Sequence, residues 1–173
     1  MNNVIEAVVQ LLTAAKANGS SPLNTVKSIW WGDPVMIGES DQPALVVHPV
    51  STEYARRGTQ YDQKRHTVEI RLVYNVKTFV GRSASNPYKV FSVADAIDKV
   101  ELLVSQSGTS VLSVCGVIQS NPTLPYTPEG GDPTVAAQDA RVTRVNYVFN
   151  SARGFPTFEI IVTMEATVIG DRS

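Results

Sequence analysis

The sequence predicts an α+β fold, a mostly antiparallel β-sheet with two helices packed on one face. Three observations carry this. Residues 65–76 alternate, with His66, Val68, Ile70, Leu72, Tyr74 and Val76 on one side and Thr67, Glu69, Arg71 and Asn75 on the other, Val73 being the exception. Alternation of that length marks a sheet with one buried and one wetter face, the pattern of antiparallel strands. Residues 157–169 repeat it, with Phe158, Ile160, Val162, Met164, Ala166 and Val168 aligned. Two other segments place apolar residues at three-and-four spacing, the mark of amphipathic helices.

The elements follow in order. Residues 2–16 form a helix with Val4, Val8, Leu11, Leu12 and Ala15 on its apolar stripe, stopped by Asn18-Gly19. After the linker "GSSPLN", residues 25–31 and 44–50 read as short strands, the second ended by Pro49. Residues 51–65 are polar and read as a mobile loop before the strand 65–76. "GRSASNP" (81–87) is a loop whose Ser85 or Asn86 caps a second helix. That helix runs from 87 to 105, with Val90, Val93, Ala94, Ile97, Val100, Leu103 and Val104 as its stripe. Val111–Gln119 reads as a strand.

Four prolines and two glycines in 120–134 mark a long loop, taken to span 120–140. Residues 141–150 and 157–169 form a closing hairpin joined by 151–156. The order is α-β-β-β-α-β-β-β. Few adjacent strands are linked by helices, so a doubly wound parallel sheet is not expected.

A chain of 173 residues fits one α+β domain over 1–173. Fifteen Lys and Arg against sixteen Asp and Glu give 15 − 16 = −1, which argues against a general nucleic-acid binder. The single cysteine, Cys115, lies in the apolar run "SVLSVCGVIQ" and reads as a buried thiol. "VIEAVVQLL" lacks a basic lead-in and is too short to span a bilayer, so synthesis and folding in a cytoplasm are expected.

No motif for catalysis rises above background. His48 and His66 fall on different strands with no third ligand placed beside them, so no metal is expected. His66 reads as a packed histidine with a hydrogen bond. "PEGGDP" lacks the Lys and following helix of a phosphate cradle and reads as a turn. Glu69 and Glu165 would form a carboxylate pair if their strands met, but cross-strand ion pairs with Arg71 or Arg144 are the simpler expectation. Trp30 and Trp31, adjacent in a strand, point to opposite faces and cannot form one stacking platform. One is expected in the core, the other under a loop or at an interface. No catalytic residue, metal or organic cofactor is assigned.

The stretch "YARRGTQYDQKRHTVEIRLVYNV" interleaves Arg56, Arg57, Lys64 and Arg65 with Tyr54 and Tyr61. Such interleaving occurs in nucleic-acid binders. Glu53 lies just before it and Asp62 within it, and specific nucleic-acid binding is not the preferred reading.

The layout resembles the tail terminator proteins of tailed bacteriophages, and more broadly the small proteins of the head–tail junction. The resemblance covers most of the chain as architecture. Its local cues are "PALVVHPV", the strand "HTVEIRLVYNV" entered from a polar loop, the "GRSASNPYKVFSVADAIDKVELLV" helix and the terminal hairpin. The chain departs from the compact form of that pattern at 120–140 and at "GRSASNP", which add length.

The resemblance implies a structural virion protein, not an enzyme. Six copies would close into a ring that caps the tail tube and joins it to the neck. Its partners would be the tail tube protein and a neck, stopper or connector protein, with genomic DNA passing through the lumen and no membrane involved. Location in the virion tail or neck, after assembly in the host cytoplasm, follows. Tyr54, Arg56, Arg57, Tyr61, Lys64, Arg65, Leu124 and Tyr126 would then be contact residues, the cations touching a neighbour or lining the lumen. The alternatives are another neck, stopper or tail-completion protein, or a soluble ligand-binding or enzymatic α+β domain. Ordinary solvated loop charges are the simplest account of the basic segment.

Overall fold

The structure is a computed structural model that describes residues 2–32, 34, 37–57, 61–75, 100–104, 111–150 and 157–171. Helix α1 (Asn2–Ala17) buries Val4, Ile5, Ala7, Val8, Leu12 and Ala15 and leaves Leu11 half-buried. It ends where Asn18 and Gly19 were expected to end it. Ser21 then caps a short 3-10 turn (Pro22–Thr25) by accepting from the Leu23 N–H at 3.1 Å.

Strand β1 (Ser28–Trp31) runs parallel to β2 (Ala44–Arg57), which pairs antiparallel with β3 (Tyr61–Asn75). A helical stretch, α2, is described over 100–104, and the short helix α3 covers Val114–Gln119. Strands β4 (Leu124–Tyr126), β5 (Thr134–Asn150) and β6 (Thr157–Asp171) complete one six-stranded sheet of order β1-β2-β3-β6-β5-β4. The α+β class and the mostly antiparallel sheet are as the sequence predicts.

The register explains the burial. Leu45 lies opposite Leu72 and Val47 opposite Ile70, while Leu72, Ile70 and Val68 lie opposite Ile160, Val162 and Met164. All eight are buried and share one sheet face, against which α1, α2 and α3 pack through Val8, Leu12, Val100, Val104 and Ile118. Burial of such side chains contributes roughly 1.5–3 kcal/mol each. Most of the opposite face is only partly covered, although Ala44 and Val46 there are buried.

Three segments differ from the sequence reading. Residues 51–65 are mostly strand: β2 and β3 continue as a hairpin in which Arg57 lies opposite Tyr61. Alternation could not reveal this, because both faces of the extension are polar and carry no apolar rhythm. The expected strand 111–119 is instead a turn followed by α3. The Ser113 hydroxyl oxygen accepts from the Gly116 N–H at 3.1 Å, and Val114 through Ile118 are all buried. A short, wholly apolar run has no periodicity to separate strand from helix, and β-branched residues pull the reading toward strand. The expected loop 120–140 contains β4 and the start of β5.

Pro125 stands exposed between buried Leu124 and Tyr126 on an edge strand, where a proline needs no ladder hydrogen bond. In the intervening turn, the Gly131 N–H donates to the Pro128 carbonyl at 3.0 Å and Gly130 takes φ of 70°. "PEGGDP" is therefore a turn.

Two extra residues enter β5, one between Gln138 and Arg141 and one between Val142 and Arg144. At the first, Asp139 adopts φ of 52°, a left-handed conformation that aspartate tolerates. The bulges let β5 leave β6 and carry β4 toward α1. The remainder of the helix expected over 87–105, including Ile97, lies outside the described residues, as do the loop 81–87 and the turn 151–156.

Candidate interaction surface

Three strands continue past the region that the described helices cover. Over 51–57, 61–67 and 165–171, β2, β3 and β6 stay in register. The helix-facing side is still closed at His66, 3% exposed, and at Ala166. One pair further on it opens. Lys64 is exposed, Tyr54 is 75% exposed, and the Lys64 ammonium sits 5.7 Å from the centre of the Tyr54 ring. An exposed cation–π contact of this kind contributes about 0.5–1 kcal/mol.

Arg65 is exposed on the other side of the same finger, opposite Glu53. Arg56 and Arg57 lie at its tip in register with Asp62 and Tyr61, and the side chains of Arg56, Arg57 and Tyr61 lie outside the described residues. The structure thus brings Tyr54 and Lys64 together at the base of one projection.

Leu124 and Tyr126, expected as apolar anchors for a partner, sit elsewhere. Leu124 is fully buried and Tyr126 is 9% exposed, both in the chain's own core. Pairing of β4 with β5 and contact with α1 turn them inward. The Tyr126 hydroxyl donates to Glu6, and that bond, followed by burial, pushes the phenol's pKa up. Both residues serve the fold, because neither is available to a neighbour.

The open face of the sheet carries an ion-pair network. His48 Nε2 lies 3.3 Å from Glu69 Oε2, and Arg71 Nη2 lies 3.6 Å from the same oxygen. A proton on Nε2 lets His48 donate to Glu69 and leaves its Nδ1 as an acceptor. That Nδ1 and Arg71 Nε are buried without a hydrogen-bond partner. Arg141 pairs with Glu165 across β5 and β6 at 3.2 Å, while Arg144 Nε donates to Asn146 at 2.9 Å. Glu69 pairs with Arg71 two residues along its own strand rather than across strands, and Glu165 pairs across the sheet with Arg141 rather than Arg144. Each carboxylate is held by a guanidinium, and partly exposed pairs of this sort contribute little to stability.

His48 and His66 do not meet, because they lie on opposite faces. His66 packs at the end of the buried face, with Nδ1 2.9 Å from the Thr52 hydroxyl. Burial, then the positive amino terminus and Lys64, lower its pKa. Burial, then Glu101, raises the Cys115 thiol to about 11. Burial and a hydrogen bond to Glu101 also raise the Tyr147 hydroxyl, which donates to that carboxylate and so ties α2 to the sheet. Among the described residues, no three His, Cys, Asp or Glu side chains are grouped to hold a metal, and no helix is long and apolar enough to cross a membrane.

Trp30 is 39% and Trp31 53% exposed, so neither is in the core. Strand β1 is an outer strand and only four residues long, which leaves both indoles at the border of the sheet. Polar length and an aromatic pair beside a turn were the signals for this border, but the number of strands beyond it was not legible.

No protein-family model matches the chain. No curated protein matches it. Among solved structures, a chain of the virion of a native gene transfer agent particle is similar over 98% of this chain and 96% of its own, with a TM-score of 0.44 and 13% identity.

Proposed function

We propose that this chain is a structural virion protein of a tailed bacteriophage and acts as a tail terminator. Six copies close into a ring on the end of the tail tube, stop its growth and present a surface to the neck. Genomic DNA passes through the ring without sequence-specific binding, and the work is mechanical rather than catalytic. The observation that carries this reading is the projecting β2–β3 finger, where Tyr54 is 75% exposed beside Lys64 and, among the described residues, no helix covers the sheet. A large exposed aromatic on a charged extension fits contact with another protein.

Inactivating the gene in the phage that carries it tests the proposal by electron microscopy of the lysate. The expected result is filled heads beside unjoined tails of abnormal length, restored by the intact gene. Unjoined tails of normal length would instead assign the chain to another stopper or completion role at the same junction. Normal joined particles would overturn the reading.

A further inference from the structure

Asn18 and Gly19 stop α1, and the pair carries a chemistry that stopping a helix does not need. It is the only Asn-Gly step in the chain. Asn86 and Asn121 precede proline, which has no N–H. The other asparagines precede residues whose side chains crowd their own main-chain nitrogen. Gly19 has no side chain, so its nitrogen is unhindered.

The structure holds the Asn18 carboxamide against that nitrogen. Asn18, Gly19 and Ser20 are exposed and follow the last residue of α1. Among the described residues the Gly19 N–H donates to no backbone carbonyl. Asn18 Oδ1 accepts from the Ser20 N–H at 3.0 Å, which folds the carboxamide forward over the Gly19 peptide. The same bond draws electrons from the carboxamide carbon. A Cβ placed on Gly19 would meet nothing within 4 Å, so the peptide has room to move.

We propose that Asn18 is a self-modification site, at which the Gly19 nitrogen displaces the Asn18 side-chain amide. The nitrogen gives its proton to hydroxide and bonds to Asn18 Cγ. The Cγ–Nδ2 bond breaks, and Nδ2 leaves as ammonia with a proton from water, which regenerates the hydroxide. Water then opens the cyclic imide at either carbonyl. Opening at Cγ gives aspartate. Opening at the main-chain carbonyl gives isoaspartate, in which the chain runs through the side chain. The sum is one water consumed and one ammonia released, and no electrons are transferred.

Either product sets a carboxylate at the C-terminal end of α1, where the helix dipole opposes negative charge. Isoaspartate does more. The Ser21 N–H donates to the Asn18 main-chain carbonyl at 2.9 Å, and in isoaspartate that carbonyl becomes the free carboxylate while the chain gains a methylene group. Ser21 caps the turn that buries Leu23, so the exit of α1 loosens.

The test compares fresh protein with protein warmed at pH 8, by isoelectric focusing and by the mass of the tryptic peptide 17–27. Fragmentation separates position 18 from Asn24. A more acidic form should accumulate with time, its amide-to-acid change at residue 18, as chromatographically distinct isoaspartate and aspartate peptides. Conversion should be slower at pH 6. A synthetic peptide of residues 12–24 gives the rate of the unfolded segment. Gly19→Ala and Asn18→Gln, shown to be folded by circular dichroism, should stay unmodified over the same time. The acidic form should unfold at lower urea than fresh protein.

A peptide that converts while the folded protein does not, no conversion of either, a change at another asparagine, or a Gly19→Ala variant that converts as fast as the wild type would overturn the proposal. An acidic form as stable as fresh protein would overturn the effect assigned to the exit of α1.

Discussion

The Tyr126 hydroxyl donates a 2.5 Å hydrogen bond to Glu6 Oε2, joining the β4–β5 hairpin to the first helix across 120 positions of sequence. One turn along the helix, Gln10 accepts from the Thr127 N–H at 3.1 Å and donates to the Thr127 carbonyl at 2.8 Å. A segment rich in proline and glycine is thereby fastened to the core at two adjacent residues.

Leu124→Ala should cost about 2–5 kcal/mol, as for truncation of a fully buried leucine. Tyr126→Phe should lower stability by less, since it removes the bond to Glu6 and keeps the ring. Urea denaturation of the two variants checks both. Deleting 121–135 should unfold the protein, because it removes Leu124 and Tyr126 from the core. A Leu124→Ala loss near zero would mean that the hairpin contributes nothing to the fold.

Stability should fall in mild acid because of His66. Its folded pKa lies below the ordinary value of about 6.5, chiefly through burial. The unfolded chain therefore binds more protons between the two values, and stability rises with pH across that window. The contribution is full above about pH 6.5 and is lost as the pH falls through the folded value. Denaturation midpoints at pH 7.5 and pH 5 should differ more for the wild type than for His66→Gln.

Tyr54→Ala and Lys64→Ala should each change stability by less than about 1 kcal/mol, as expected for an exposed cation–π pair. On the proposed function they should nonetheless reduce the yield of joined particles in a complementation assay. Full particle yield from both variants would return these side chains to the status of solvated surface.

Cys115 should react with a thiol reagent only when the chain opens. It is 4% exposed, and a pKa near 11 leaves little thiolate at pH 8. Absorbance with a chromogenic disulfide should show one thiol in denaturant and a far slower reaction in the native state. Rapid native labelling would show that the helix around Cys115 is loose.

What could be read from the sequence depended on whether a segment has one wet face and one dry face. Strands β3 and β6 alternate over Val68–Leu72 and Phe158–Met164, and α1 has its stripe, so all three were visible. Helix α3 is buried all round and the β2–β3 extension is polar on both sides, so neither has a rhythm. The same limit applied to the candidate contacts. Tyr54 and Lys64 could be named from composition, whereas the burial of Leu124 and Tyr126 depends on a helix more than a hundred positions away. The alternation of Leu124, Pro125 and Tyr126 was the available signal, masked by the prolines around it.

The two bonds between Gln10 and Thr127 have an evolutionary consequence. Gln10 addresses the main chain of residue 127, which every amino acid except proline presents alike. Position 127 is therefore free to drift, while position 10 must keep a side chain that both gives and receives. A glutamate there, one atom type away, would set an acceptor against a carbonyl. Among related sequences, variation should accumulate at the loop residue, and the helix residue should hold still.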